Sequence, residues 1–474
     1  MKNMDELTAL TAIGSVDGRY RKTTLPLAKI FSEDGLIAHR VLVEVAYLKA
    51  LSANDDIPLR AFTEEEIAFL DSLLMTDSTF ASETIKQIET KGYLDLKATN
   101  HDVQSVVEYL KIALAGTSLK DCIGWVHIGL TSEDVNNLAY SLMIQKGTEI
   151  VFTRLGDVQL ALHPLREEHS HTPMLSETHG QPATPTTFGK EIAVFVDRLA
   201  RCLKGLLESV TLTGKLNGAT GTWADHHVAF PHIDWPAFSR RLIEDELDEP
   251  SASIPLEAIM CTTQIEPHDS WAALFDALKR MSNILIDLSQ DMWAYISKEW
   301  VVLRAVDGEI GSSAMPHKVN PINFENAEGR FQLAIGLFET LSRKLQVSRR
   351  QRDLSDSTVE REIGTAFAHM LIGLDSLAKG LSKITPDKKR MLKDLRKHPE
   401  VISASYQIIL RREGKSEAYN TLKEVTRGKK VTLKLLREFI KGLKLQPELE
   451  KELLRIKPEN YLGLAPEIAM FKIT

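Results

Sequence analysis

Long runs of apolar residues at spacings of three and four are the feature that most constrains the fold of this chain. Such runs start near Thr131 and at Phe188, Trp271, Phe331 and Ile363. This spacing places the apolar side chains on one face of a helix. Glycine and proline, at 26 and 18 of 474 residues, are too scarce to interrupt these helices often. The sequence therefore predicts an all-α fold whose centre is a long five-helix bundle.

The length and the breaks in the helical pattern predict three helical domains. A chain of 474 residues is too long for one small core. Acidic and polar breaks interrupt the helices before about Asp121, and Thr385-Pro386 has the character of a helix end followed by a new start. We predict an N-terminal helical domain at 1–120, a central long-helix bundle domain at 121–384 and a C-terminal helical domain at 385–474.

Composition and missing motifs exclude several classes of protein. The net charge of −7 argues against a general nucleic-acid-binding surface. The three cysteines lie far apart, which argues against a disulfide framework and fits a reducing cytoplasm. The N-terminus has no signal-peptide pattern, and no apolar run approaches the roughly 18 residues of a membrane span. Because HExxH, Cys/His ligand spacing, GxGxxG and Walker motifs are all missing, the sequence predicts no metal and no cofactor.

Polar segments that interrupt the helical pattern are the candidates for chemistry. Several precede a long helix, where free backbone N–H groups and a partial positive charge suit carboxylates and phosphates. The six segments are "TNHD" (99–102), "GLTSEDVNN" (129–137), "SETHGQPATPTTFGKE" (176–191), "TTQIEPHD" (262–269), "GEIGSSAMPHKVNP" (308–321) with its continuation "INFENAEG", and "SRRQRDLSDSTVER" (348–361).

Each of these segments also has a purely structural interpretation. Thr131 and Ser132, with two acidic residues after them, could simply cap a helix or could bind an anion. His179 could be a hydrogen-bonded turn residue. The arginines of the last segment could form a solvated helix face. The residues alone leave these alternatives open.

The segment from Gly308 to Pro321 is the least ordinary of the six. Its glycines permit sharp turns, two adjacent serines follow them, and Lys318 and Asn320 lie between two prolines. Serine is a poor base unless positive charge and N–H donors stabilise its alkoxide. A glycine-rich loop with a lysine nearby could supply both, so this segment is a candidate catalytic loop, with an ordinary ordered loop as the alternative.

The sequence of this loop resembles the signature of the fumarase/aspartase superfamily of lyases. That signature is present here as "GSSAMPHKVNP". His317, "FENAEG", "TTQIEPHD" and "SRRQRDLSDSTVER" together resemble the adenylosuccinate lyase family, in its longer bacterial type. The resemblance runs from "SVDGRY" near the start to "NYLGLAPE" near the end, so it covers nearly the whole chain.

The resemblance implies an activity and an assembly. Members of this family eliminate fumarate from adenylosuccinate, which leaves AMP, and from succinylaminoimidazole carboxamide ribotide (SAICAR), which leaves AICAR. They act in purine nucleotide biosynthesis in the cytoplasm without a cofactor. They form homotetramers in which each active site takes residues from three chains. Neither nucleic acid nor a membrane is implied as a partner.

The resemblance also assigns roles to individual residues. Ser312 corresponds to the general base, His179 to the general acid, and Glu325 to the residue that orients this histidine. Lys318 stabilises the developing negative charge, and His101 positions the substrate. The other residues implied in substrate binding are Arg19, Tyr20, Asn100, Asp102, Thr131, Ser132, Gln264, Ser313, Asn320, Asn326, Arg352, Ser357, Thr358 and Arg361.

One residue departs from the family, and two alternative functions remain. Many members carry arginine two residues before the acid histidine, where this chain has Glu177. Another fumarate-releasing lyase such as argininosuccinate lyase, or a carboxymuconate cycloisomerase, would lack a need for phosphate-binding arginines. A non-catalytic structural or storage protein could keep the same fold. The presence of Ser312, His179, Lys318 and Glu325 argues against the last alternative.

Overall fold

Helices make up most of the N-terminal part of the chain. The structure is a computed structural model that describes residues 7–75, 79–304, 315, 318–415, 417, 420, 422–423 and 431–472. Ser32 begins one of the helices by accepting a hydrogen bond from the Gly35 N–H, and His101 begins another in the same way. The first helices are α1 (Arg21–Phe31), α2 (Glu33–Ser52), α3 (Glu64–Met75), α4 (Thr79–Thr90) and α5 (Asp102–Ala115).

The five long helices predicted from apolar spacing are all present. The helices between residues 132 and 382 are α6 (Ser132–Glu168), α7 (Phe188–Ser209), α8 (Ala224–Ala229), α9 (Trp235–Arg241), α10 (Asp269–Ser297), α11 (Ile322–Leu345), α12 (Ser355–Glu360) and α13 (Ile363–Ser382). The long ones are α6, α7, α10, α11 and α13, and each starts within ten residues of its predicted start. The prediction of an all-α fold is confirmed.

The chain folds into two compact units, each built from three separate stretches of sequence. The first unit comprises Met1–Leu155, Cys202–Asn283 and Gly329–Asp375. The second unit comprises Gly156–Arg201, Ile284–Glu328 and Ser376–Thr474. The division into three consecutive domains, at 1–120, 121–384 and 385–474, stays a prediction.

Aromatic side chains join the long helices inside the first unit. Phe338 of α11 lies 5.6 Å from Phe275 of α10 and 5.6 Å from Phe367 of α13, measured between ring centroids. Trp271 of α10 donates its indole N–H to the Ser141 hydroxyl of α6 at 3.0 Å. All four of these helices therefore contribute to one core, as the apolar face of each helix requires.

In the described part of the chain, short strands lie in the connections between helices. β1 (Pro173–Thr178) and β2 (Gln181–Thr187) form an antiparallel hairpin. β3 (Leu212–Gly214) pairs in parallel with β4 (Leu256–Ala258), and β5 (Val301–Leu303) pairs antiparallel with β6 (Ile384–Pro386). The hairpin belongs to the second unit and is the platform for one of the predicted catalytic residues.

The described residues after β6 are mainly helical. The helix end expected at Thr385-Pro386 is confirmed, because a strand there is followed by a new helix whose N-terminus Asp387 caps. The remaining helices are α14 (Lys388–Arg396), α15 (Ser403–Arg412), α16 (Leu433–Gly442), α17 (Pro447–Arg455) and α18 (Ala465–Ala469). Within the described ranges, no helix combines the length and the apolar character needed to cross a membrane.

Candidate active site

Three of the polar segments meet around a pair of arginines in the first unit. Arg361, just after α12, lies 2.8 Å from Glu33 and 3.4 Å from Asp102. Asp102, at the start of α5, also contacts the Arg40 guanidinium at 2.8 Å. Arg40 in turn donates its Nε–H to the side-chain oxygen of Asn136, at 2.9 Å. The segments "TNHD", "GLTSEDVNN" and "SRRQRDLSDSTVER" are thus brought together by one network of charges.

Arg40 is a residue that the sequence analysis missed. It is buried, at 2% exposure, and within the described part of the chain its Nη1 has no hydrogen-bond partner. A buried guanidinium donor is costly unless something accepts from it. The signal in the sequence was an arginine among the mainly apolar residues of α2, which also include His39 and Glu44. A charged residue in such a run needs a partner when it is buried.

The two arginines keep Asp102 ionised. Burial raises the pKa of this carboxyl, but the Arg40 and Arg361 charges and the Val103 N–H lower it more. The net pKa therefore lies below the ordinary value of 3.8. Two guanidinium groups face the one carboxylate of Asp102, and Arg361 is about half exposed. Arg361 is therefore able to face an anion as well.

His101 and Asn100 occupy the turn that leads into α5. The ring Nδ1 of His101 accepts from the Gln104 N–H at 3.2 Å, which in the neutral ring places the proton on Nε2. The side chain is about half exposed, so this N–H donor faces outward. Asn100 has a positive φ of 51°, a conformation that asparagine tolerates better than most residues.

The acidic first turn of α6 is held by internal hydrogen bonds. The Asp134 carboxylate accepts from the Thr131 N–H at 2.8 Å, next to Ser132 at the start of the helix. The buried Lys215 ammonium lies 3.0 Å from the same carboxylate and donates to the Gln264 carbonyl at 2.7 Å. Lys215 therefore connects the segment "TTQIEPHD" with the segment "GLTSEDVNN" through these two contacts.

Gln264 and the residues around α12 are also fixed by local contacts. The Gln264 side-chain amide donates to the Ala219 carbonyl at 3.0 Å. Arg352, only 14% exposed, lies 3.0 Å from Glu133 and 3.7 Å from Asp356. Ser357 donates to the Leu354 carbonyl, and Thr358 is exposed.

Arg19 and Tyr20 lie at the entry to α1. The Tyr20 ring is contacted by the Arg330 guanidinium at 4.2 Å and by that of Arg19 at 5.9 Å. Arg330, which the sequence analysis did not single out, also contacts Ser15 and the ring nitrogen Nδ1 of His369, each at 3.0 Å. A stacked arginine holds the tyrosine in place.

A buried ion pair adjoins "GLTSEDVNN" and was also missed. His127 Nδ1 lies 2.5 Å from the Glu44 carboxylate, which is fully buried. Burial lowers the pKa of His127, but the hydrogen bond and charge of Glu44 raise it more, so the net pKa lies above 6.5. The available signal was a histidine two residues before the glycine of the motif.

In the second unit, His179 lies at the tip of the β1–β2 hairpin. His179 and Gly180 form its two-residue loop, with positive φ values of 55° and 69°. Two positive φ values are typical of the tight turn that matches the twist of a hairpin. The imidazole is exposed at the end of a short, hydrogen-bonded element.

Glu177 has a partner of opposite charge on the same unit. Its carboxylate lies 2.8 Å from the Lys298 ammonium, which follows α10. Glu177 stands where many members of the family have arginine, and it forms an ion pair with a lysine. This pair stabilises the strand that leads to His179.

Glu325 occupies the first turn of α11 and accepts from the Trp293 indole N–H at 3.1 Å. Its neighbour Asn326 donates to the Ser376 hydroxyl at 2.6 Å. The described residues of the second unit include no hydrogen bond between His179 and Glu325. Their predicted pairing stays a prediction.

The loop residues are only partly described. Lys318 is exposed and Asn320 is half-buried, immediately before α11. Ser312 and Ser313, for which the sequence predicts the base and an additional donor, lie outside the described residues.

The chain is similar to known proteins in both sequence and fold. Residues 18–336 match the family described as Lyase, and residues 348–462 match the family described as Adenylosuccinate lyase C-terminal. The fold resembles that of a fumarate lyase from Mesorhizobium sp. BNC1, with a TM-score of 0.72, 21% identity and coverage of 94% of this chain and 96% of that chain. A 3-carboxy-cis,cis-muconate lactonizing enzyme from Pseudomonas putida gives a TM-score of 0.73 at 19% identity, covering 94% and 95%.

Long helices with polar residues at their interruptions, together with these matches, define a lyase of the fumarase/aspartase superfamily. Comparison with curated relatives identifies the family within this superfamily. The adenylosuccinate lyase of Legionella pneumophila (strain Corby) is 42% identical over 465 residues, or 98% of each chain. Those of Dictyostelium discoideum and Escherichia coli (strain K12) are 42% and 40% identical, over 98% and 97% of this chain and 98% of each relative. The chain belongs to the adenylosuccinate lyase family.

Proposed function

We propose that this chain releases fumarate from adenylosuccinate and leaves AMP. It would perform the same elimination on SAICAR, leaving AICAR, so that both reactions serve purine nucleotide biosynthesis. The observation that carries the proposal is the identity of 40–42% to adenylosuccinate lyases over 97–98% of the chain. No cofactor is needed, because the elimination requires only proton transfer and stabilisation of negative charge.

The chemistry assigns a base and an acid to opposite sides of the bond that breaks. The base removes a proton from the succinyl carbon beside a carboxylate. The electron pair of the broken C–H bond becomes the new C=C bond of fumarate. The C–N bond breaks, and the acid protonates the departing nitrogen. We assign the first step to Ser312 and the second to His179, each worth typically ~10²–10⁴-fold.

The position of His179 supports its role as the acid. An exposed imidazole at the tip of a hydrogen-bonded hairpin is rigidly presented yet accessible to a ligand. Glu325, held by Trp293 at the start of α11, is the residue that would orient this imidazole.

Anionic groups of the substrate require positive charge and N–H donors. Lys318 and Asn320, with Ser313, Thr131, Ser132 and Gln264, would bind the succinyl carboxylates and the dianionic intermediate. The arginine network around Asp102 supports a phosphate site, because Arg361 is half exposed there. Residues that would position the ribose, the base and the phosphate are Arg19, Tyr20, Asn100, His101, Asp102, Asn326, Arg352, Ser357, Thr358 and Arg361.

The active enzyme would be a homotetramer whose active sites take residues from three chains. Large apolar side chains remain exposed on the long helices: Leu160, Trp293 and Leu333 are 72%, 47% and 52% exposed. Apolar groups of this size on a helix face favour burial against another chain. Three free cysteines are consistent with a reducing, cytoplasmic location.

A substrate comparison tests the proposal. Purified protein would be given adenylosuccinate, SAICAR and argininosuccinate, with fumarate measured in each case. We expect fumarate from the first two only. Arg361→Gln should raise the KM for adenylosuccinate at least ~10-fold, as the loss of a charge-assisted hydrogen bond predicts.

Arg349→Gln is the matched control, since this arginine belongs to the same segment but is 84% exposed. It should leave the KM nearly unchanged. Fumarate from argininosuccinate, and none from adenylosuccinate, would overturn the assignment of substrate.

A further inference from the structure

Three buried side chains of the first unit place potential metal ligands next to one another. They are Glu133 in the first turn of α6, His268 just before α10, and Glu360 at the end of α12. Their ligand atoms all lie within 4.8 Å of one another. The residues are 0%, 0% and 3% exposed. None of the roles assigned above uses them.

The hydrogen bonding of His268 exposes a lone pair toward the two carboxylates. Its Nδ1 lies 3.2 Å from the Leu345 carbonyl oxygen, which can only accept, so Nδ1 carries the proton. Nε2 is then an unprotonated nitrogen, and within the described residues it has no hydrogen-bond partner. A backbone carbonyl that fixes the tautomer in this way is the usual support of a metal-ligating histidine.

The spacing of these atoms is unsuited to a hydrogen bond. Nε2 of His268 lies 3.5 Å from Oε1 of Glu360, which is too long for a protonated carboxyl to bridge well. Ligands bonded to a tetrahedral zinc ion at their usual lengths lie roughly 3.3–3.6 Å apart. The ligand atom of Glu133 lies within 4.8 Å of the other two.

Carboxyl groups outnumber the cations in direct contact with them in this cluster, and the charges of Lys215 and Arg40 also act on Glu133 and Glu360. Glu133, Glu360 and Asp356 are three buried carboxyl groups, and Arg352 is the cation in contact with two of them. Neither carboxylate oxygen of Glu133 has a hydrogen bond of good geometry in the described part of the chain, although Arg352 Nη2 lies 3.0 Å from Oε2. Buried carboxylates in excess require either protons or a cation.

A cavity adjoins one residue of the cluster. Glu360 lines a cavity of about 160 Å³ whose walls also include Ser32, Glu33, Tyr140 and Arg361. The cavity therefore places open space next to Glu360.

We propose that Glu133, His268 and Glu360 bind one divalent transition-metal ion, with Zn²⁺ the best match. One imidazole nitrogen with two carboxylate oxygens is a ligand set that Zn²⁺ accepts and that Mg²⁺ does not favour. The ion would neutralise the excess charge and connect the starts of α6 and α10 with the end of α12. The ion would have a structural role, and the test of its binding does not depend on the proposed function.

Metal analysis tests the site without an activity assay. Chelator-treated protein would receive Zn²⁺, be desalted and be analysed for bound metal, and Co²⁺ would report the geometry through its visible absorption. We expect about one Zn²⁺ per chain and an intense tetrahedral Co²⁺ spectrum. Glu360→Gln keeps the size of the side chain but removes the ligand charge, so it should lower binding at least ~10-fold.

Two controls make the result specific. Glu362→Gln makes the same change on an exposed residue two positions away and should bind like the wild type. Cys261→Ser removes an exposed thiol that could bind Zn²⁺ and should also bind like the wild type. Thermal melting shows whether Glu360→Gln folds, and Zn²⁺ should raise the Tm of the wild type but not that of this variant.

Failure of the wild type to retain metal would overturn the proposal. Equal retention by the wild type and by a folded Glu360→Gln variant would overturn it as well. In either case the carboxyl groups of the cluster would be neutralised by protons instead.

Discussion

At the scale of single residues, His39 shows how burial couples stability to pH. This histidine of α2 is buried, and the Lys146 ammonium lies 3.2 Å from its Nε2. Burial and the lysine charge lower its pKa to about 4. In the unfolded chain the pKa is about 6.5. Between these values the unfolded state binds more protons, so the contribution of His39 to stability falls as the pH falls.

We predict that His39→Gln makes stability less dependent on pH in acid. Between pH 7 and pH 5 the wild type should lose about 2 kcal/mol more unfolding free energy than the variant. Urea unfolding at the two pH values, at one protein concentration, measures this difference. Equal losses in the two proteins would show that folding does not lower the pKa of His39.

Glu177 and Lys298 offer a second test at the residue scale. The pair is partly exposed, at 27% and 47%, so its contribution to stability is expected to be below about 1 kcal/mol. Glu177→Arg restores the residue usual in the family but opposes Lys298. We predict a lower Tm and lower kcat for this variant, with recovery in the double variant Glu177→Arg/Lys298→Glu. Absence of recovery would mean that the two charges do not interact.

The sequence predicted some residues of the site better than others. His179 was assigned as the acid through the family resemblance, and the structure places it in a two-residue hairpin loop. Arg40 was missed because its function depends on Asp102 and Asn136, which lie far along the chain. Periodicity reports which face a residue occupies, but it does not report which distant groups that face meets.

At the scale of secondary-structure elements, the phenylalanine contacts among α10, α11 and α13 dominate one part of the core. Phe338 is fully buried between Phe275 and Phe367. We predict that Phe338→Ala lowers the unfolding free energy by about 3–5 kcal/mol, through lost burial and a cavity. Phe338→Leu, which keeps most of the volume, should cost clearly less. Chemical denaturation of both variants measures the difference, and equal small losses would contradict this packing.

Helices were predictable at this scale, and the hairpin was not. The five long helices follow from apolar spacing because a helix must bury one face. The strands β1 and β2 were not predicted, because β2 contains Pro182 and Pro185, which weaken a strand pattern. The hairpin loop is His-Gly instead of the more recognisable Asn-Gly.

At the scale of the whole molecule, the exposed apolar residues of the long helices predict assembly. Leu333 of α11 is 52% exposed, and Leu333→Asp would place a charge in any interface formed there. We predict a wild-type mass near four chains of 53.1 kDa and a smaller, less active species for the variant. Sedimentation or light scattering measures the mass. A monomeric wild type with full activity would contradict the proposed tetramer.

Mixing inactive variants tests whether sites are shared between chains. If Ser312 and His179 of one site come from different chains, hybrids of Ser312→Ala and His179→Gln contain some intact sites. Activity should then return after the two inactive proteins are dissociated and reassembled together. No recovery in verified hybrids would place both residues in the same chain.

The sequence could not reveal the cluster of Glu133, His268 and Glu360. These residues belong to three segments with no short spacing motif, and only the packing of α6, α10 and α12 brings them together. The fold class, by contrast, depends on local spacing repeated along the chain, and it was predictable.

Adenylosuccinate cleavage by the wild type and by Ser312→Ala tests the central claim most directly. We predict that the wild type releases AMP and fumarate. The variant should still bind adenylosuccinate but turn over at least ~10²-fold more slowly, the loss expected for a missing proton-transfer group. A wild type that leaves adenylosuccinate intact, or a variant that cleaves it at the wild-type rate, would contradict the account.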